Sequence, residues 1–244
     1  MIGWRLGFSV LFLFLWVATP GLAQEMTLDL GEGPLLSTRT VQLMLLITVL
    51  SLAPGIAVTI TCFPFIVTVL SILRQAIGLQ QSPPNMLLIS LSLFLTWFIM
   101  EPVLTEAWSA GIEPLNRGEM DAAQAVTAAM GPFRVFMSAR LDPDTFAALR
   151  DLRPGVDMLQ PAVDAPLSIL IPAFMLSEVA RAFEIGFMIF LPFLIIDLVV
   201  AAILMAMGMM MVPPAFVSLP FKLAFFVVAD GWSLIAAALV RGYG

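Results

Sequence analysis

Residues 41–73, VQLMLLITVLSLAPGIAVTITCFPFIVTVLSIL, run for 33 positions without a charged side chain. A helix needs about 20 apolar residues to cross a bilayer, and this run exceeds that. Pro54-Gly55 and Pro64 interrupt it. Helix breakers at membrane depth are tolerated only where neighbouring helices, side chains or water satisfy the freed backbone groups. The segment is therefore expected to pack against protein more than against lipid.

Three further apolar stretches follow the same pattern. MLLISLSLFLTWFIM, residues 86–100, continues past Glu101-Pro102 to Trp108. IGFMIFLPFLIIDLVVAAILMAMGMMM ends at Met211. AFVSLPFKLAFFVVADGWSLIAAALV returns after Pro213-Pro214. The polar turn RQAIGLQQSPPN, residues 74–85, joins the first two. The reading is an all-α membrane protein: a first helical hairpin over 41–108 and a second, with a methionine-rich loop, over 166–244. Composition agrees, since 61% of residues are hydrophobic and only 11% charged, against about 25% charged in a soluble domain. Mean hydropathy is +1.03.

The N-terminus reads as an export signal over 1–23. MIGWR supplies a basic start, LGFSVLFLFLWVA an apolar core, and TPGLA small residues at Gly21 and Ala23. Cleavage after Ala23 leaves 24–40 as a segment outside the cytoplasm. Residues 109–165 hold five arginines and eight acidic residues and form an outward helical region. Asn116 and Asp121 are candidate caps for DAAQAVTAAM, and Asp142 with Pro143 for DPDTFAALRDL. Arg74 in the first hairpin tip, with no acidic residue in either tip, is a positive-inside signal. A simple count then gives four crossings.

Several functions are excluded. There is no histidine and one cysteine, Cys62, so a thiolate metal site or a histidine-based acid–base centre is absent. No nucleophile motif or glycine-rich phosphate loop occurs, so the chain is read as no enzyme and as having no cofactor. No basic patch suits nucleic acid. An ion-coupled secondary transporter would need internal repeats and midplane polar groups; no repeat is convincing here.

Three groups of residues stand out. Met209, Met210 and Met211, with Met205 and Met207 just upstream, crowd the second hairpin's tip. Methionine fills irregular gaps, and thioethers also bind Cu(I); the lack of histidine and nearby cysteine argues against copper. Asp197 and Lys222 are ionisable groups in apolar runs, where a partner is expected. Their midpoint in sequence falls between Met209 and Met210, so an antiparallel hairpin brings them level, about 18 Å from its tip. They read as a structural pair or, alternatively, as part of a proton relay. Glu178, Arg181 and Glu184 recur at spacing three on one helix face, as a solvated face or as subunit-contact charges.

RQAIGLQQSPPN, LSEVARAFEIGF, LPFLIIDLVVAAILMAMGMMMVPP and SLPFKLAFFVVADGW together resemble the FliP family, membrane components of the flagellar type III export gate. The likeness covers most of 40–240 and is weakest over 109–165. It implies several copies assembling side by side, with FliQ and FliR, into an oligomeric pore for unfolded flagellar substrates, with FlhB and FlhA as further partners. It implies a place in the bacterial inner membrane at the flagellar basal body, with much of the chain on the periplasmic side. It also implies that Met209, Met210 and Met211 form the gasket at the pore constriction. The injectisome counterpart, the SctR family, shares the core motifs; the signal peptide and the sizeable outward region favour the flagellar version.

Overall fold

The computed structural model describes residues 35–79, 82–153, 160–209 and 211–243. The signal peptide, the first part of the 24–40 segment and Met210 lie outside them. All regular elements among the described residues are helical: α1 (Leu35–Thr59), α2 (Phe63–Ile77), α3 (Asn85–Ala107), a π-helical turn (Trp108–Ile112), α4 (Glu113–Asn116), α5 (Ala122–Ser138), α6 (Pro143–Asp151), a 3-10 turn (Ala162–Asp164), α7 (Leu167–Ala206), α8 (Pro214–Val228) and α9 (Gly231–Arg241). The chain divides into two compact units, Met1–Ser51 and Leu52–Gly244. In the first, the described residues are the opening turns of α1, where Val41, Met44, Leu46 and Ile47 are exposed. The second holds everything that follows.

The first apolar run breaks later than its sequence suggests. Its backbone stays helical through 54 and 55, and the helix ends at Thr59. A new helix starts at Phe63 with Pro64 in its first turn. The reason is local: proline lacks an N–H and suits only the first turn, where that donor has no intrahelical acceptor. Residues 60–62 make the break, and Cys62 there is fully buried.

The centre of the second unit is α2. Phe65, Ile66, Val69, Leu70, Leu73, Ala76 and Ile77 are all buried in one core with Leu88, Met100, Ala182, Phe193, Phe226 and Leu239. Its main partner is α7, and α3 flanks it. The two sequence-defined hairpins therefore share a core across their boundary. At 15 residues α2 is about 22 Å long, short of the roughly 30 Å hydrocarbon layer. The α7 helix, at 40 residues, is about 60 Å, so an upright α7 leaves about half its length outside the hydrocarbon. Among the described residues two stretches are long and apolar enough to cross a membrane, Asn85–Asn116 and Leu167–Ala206. A third appears only if α8 and α9, bent by 61°, count as one broken span.

That bend was not visible in the hydropathy. Asp230 takes a left-handed backbone, φ 49°, and Gly231 follows because a Cβ there would fall 2.2 Å from the Phe226 ring. Within 109–165 Asp121, not Asn116, caps α5: its side chain accepts from the Gln124 N–H, and the Gln124 Oε1 accepts from the Asp121 N–H. Asp142 caps α6 ahead of Pro143 and accepts from Thr145 N–H and Oγ1, which holds its carboxyl below the usual range. Asn116 lies inside α4.

Candidate functional site: the methionine turn and its buried charges

At the end of α7 the backbone closes on itself. Gly208 has φ 75°, its N–H donates to Met205 O at 3.0 Å, and Met209 N–H donates to Leu204 O at 2.9 Å. This paired cap needs a residue at positive φ, which glycine adopts without a steric penalty. It stops the helix and swings Met209 and Met211 past its end, before Pro213 and Pro214 start α8. Met211 is 97% exposed and Met209 37%; Met205 and Met207 are exposed as well. The turn thus projects thioethers away from the core of its own chain.

The same cap ends α2. Gly78 has φ 89°, with Gly78 N–H on Gln75 O and Leu79 N–H on Arg74 O. Among the described residues no backbone N–H is then left for the Ala76 carbonyl, at the negative end of the helix dipole. Lys222 supplies a donor: its Nζ donates to Ala76 O at 3.2 Å and to Asp197 Oδ2 at 2.5 Å. Ser218 Oγ donates to the other oxygen, Asp197 Oδ1, at 2.5 Å. The structure therefore brings Asp197 and Lys222 together and adds two members that sequence did not reveal. The exposure is unequal, 6% for the Lys222 side chain and 31% for Asp197. The cluster ties α7, α8 and the end of α2 into one joint at the base of the methionine hairpin.

The three charges at spacing three are separated. Glu178 is fully buried within its own chain, whereas Arg181 and Glu184 are exposed. Arg140 Nε donates to Glu178 Oε1 at 3.1 Å, and the Tyr243 hydroxyl donates to Oε2. The Arg140 guanidinium lies 3.6 Å over the Tyr243 ring and donates to Gly242 O at 3.0 Å. Phe65 meets that ring edge-on at 5.3 Å. Burial, and then the neighbouring carboxylate, push the Tyr243 hydroxyl above its ordinary pKa, so it stays a donor. Beside it, Asp142 N–H donates to Ser177 Oγ at 2.9 Å. The network links the α5–α6 corner, α7 and the C-terminal turn. Arg140 and Tyr243 lie 38 and 65 residues from Glu178, so no local spacing could have flagged them.

The FliP family matches residues 46–239. A protein of Caulobacter vibrioides named flagellar biosynthetic protein FliP is 52% identical over 216 residues, covering 88% of this chain and 81% of its own. Its namesake in Agrobacterium fabrum is 45% identical over 235 residues, 93% of this chain and 95% of that one. That of Bacillus subtilis is 47% identical over 204 residues, 84% and 92% respectively. The matched span runs from α1 into α9 and contains the methionine turn, the Asp197–Lys222 joint and the Arg140–Glu178 pair, while Gly242 and Tyr243 lie just beyond it. On this all-α membrane architecture, with identity of this level across nearly the whole length, the chain belongs to the FliP family.

Proposed function

We propose that the chain is a pore-forming core subunit of the flagellar type III protein export gate. Several copies stand around one axis, with FliQ and FliR beside them and FlhB and FlhA adjacent, in the inner membrane at the flagellar basal body. The hairpin of α7 and α8 presents its methionine turn to that axis. Unfolded flagellar subunits pass there, and Met209, Met210 and Met211 close around them.

The observation that carries this reading is the exposure of the turn. Met211 has almost no contact with its own chain, so core packing does not account for it. A gasket must close on itself when empty and re-form around segments of varied sequence. Three rotatable bonds and a polarizable sulfur suit methionine to both states. A narrow apolar ring also dewets and so blocks ions. The Asp197–Lys222–Ala76 joint serves as the hinge-side anchor that fixes where the turn points. A proton relay finds less support: both Asp197 oxygens already accept bonds, from Lys222 and Ser218. The naming of the relatives favours a flagellar over an injectisome assignment.

A stalled export substrate tests the reading. A flagellar subunit fused to a domain that cannot unfold should lodge in the gate with its unfolded part in the passage. Photoreactive side chains along that part should cross-link to residues 205–212. Cross-links that fall only elsewhere on the chain would show that the turn does not line the route.

A further inference from the structure

The charges that Glu178 leaves behind lie beside a groove. Arg181, Ile185 and Ile189 of α7, Ile235 and Leu239 of α9, and Phe65 of α2 line a cavity of about 150 Å³ open to the surface. Arg181 is the one charged group in that lining, and among the described residues no side chain pairs with it or with Glu184. At about 100° per residue, Ile185 and Ile189 fall within about 80° of Arg181 on one side of α7. Glu184, Leu191 and Phe187 fall about 60°, 80° and 120° away on the other side. Phe187 is 62% exposed and Leu191 38%. One helix thus carries an apolar groove with a cation on one flank and an apolar ridge with an anion on the other.

Rotation about a common axis preserves each residue's height along that axis. Copies in a ring therefore meet through residues at nearly equal height. Arg181 and Glu184 are three residues apart on one helix, so their heights differ by at most about 4.5 Å, within the reach of the two side chains. Phe187 and Leu191 are likewise level with Ile185 and Ile189. We infer that the ridge of one copy, Glu184–Phe187–Leu191, seats in the Arg181–Ile185–Ile189 groove of a second copy of this chain, with Glu184 pairing with the neighbour's Arg181. The contact is head-to-tail, so each copy offers both halves and the series closes into a ring or arc. The inference rests on the reading of the chain as one of several copies around a pore, and it supplies the boundary between them.

Paired single-cysteine variants test it. Two differently tagged chains, one Arg181→Cys and one Glu184→Cys, are produced together with the partner proteins and treated in the membrane with a short bis-maleimide. The native Cys62 is fully buried and gives no background. An Arg–Glu pair spans more than the roughly 7 Å between Cα atoms that a disulfide bridges, so a short two-thiol reagent covers the gap and still reports contact at this site. The expected product is a dimer carrying both tags, several-fold above that of either variant alone. The mass of the extracted complex is measured on the same material. Several copies without the mixed dimer would overturn this interface and leave the multi-copy pore standing. A single copy per complex would overturn both.

Discussion

Asp197 and Lys222 are unequal partners, and that inequality makes a prediction. In Lys222→Met the ammonium is lost and Asp197 keeps its bond from Ser218. Asp197 is about one-third exposed, so water screens the carboxylate left behind. The Ala76 carbonyl loses the Lys222 donor at a helix end. Together these losses come to about 1–2 kcal/mol. In Asp197→Asn the shape is kept but the Lys222 ammonium is stranded. Its side chain is only 6% exposed, and only neutral acceptors face it, the Ala76 carbonyl and the new amide oxygen. Breaking a buried pair in this way costs about 3–5 kcal/mol. For a unit of this size, each kcal/mol moves the melting temperature by about 2–4 °C. Asp197→Asn is expected to melt about 6–20 °C below the native protein, and Lys222→Met by less than half of that. Replacing both, by Asn and Met, should recover part of the loss of Asp197→Asn alone. Thermal scans of the detergent-extracted protein measure all three. If Lys222→Met is the more damaging single change, the stranded-charge argument is wrong. If all three variants melt with the native protein but fail in export, the pair acts in the passage of substrate.

Gly186→Ala places a Cβ 2.4 Å from Ile72 Cδ1; overpacking of this kind costs about 1–3 kcal/mol, and Ile72→Val, which removes that methyl, should restore much of it in the same thermal scan. Tyr243 is the chain's only tyrosine, so tyrosinate absorbance reads it alone: the native protein should not titrate near the usual value of about 10. Because its folded pKa is raised, the stabilisation is complete below pH 10 and is lost as pH rises above it, and Tyr243→Phe should flatten that alkaline decline. At neutral pH the same variant removes one of Glu178's two side-chain donors and should cost about 1–3 kcal/mol.

The helical class, the short helices of 109–165 and the long apolar elements were legible because hydropathy and caps are local signals. Asp121 and Asp142 announce α5 and α6 by the residues that follow them. The meeting of Asp197 and Lys222 was legible too, since equal spacing from a turn fixes their level. Other features were not. The break at 60–62 is set by where Pro64 can sit, and the sequence offered Pro54-Gly55 as an equally strong breaker. The bend at Asp230-Gly231 follows from the Phe226 ring, which only the tertiary fold brings close. Glu178 belongs by spacing with Arg181 and Glu184, yet burial gives it to Arg140 and Tyr243. The third member of the lysine joint is a backbone carbonyl, Ala76, and carries no side-chain signature at all.

The gasket is tested most directly by conductance. The complex with its partner proteins, native or with Met209, Met210 and Met211 all changed to Ala, is inserted into planar bilayers and its ion current recorded beside its yield. Shortened side chains cannot meet across the constriction, and a wet pore passes ions. The native complex should stay closed, and the triple variant should carry a steady current at unchanged yield. Unchanged yield with no added current would contradict it.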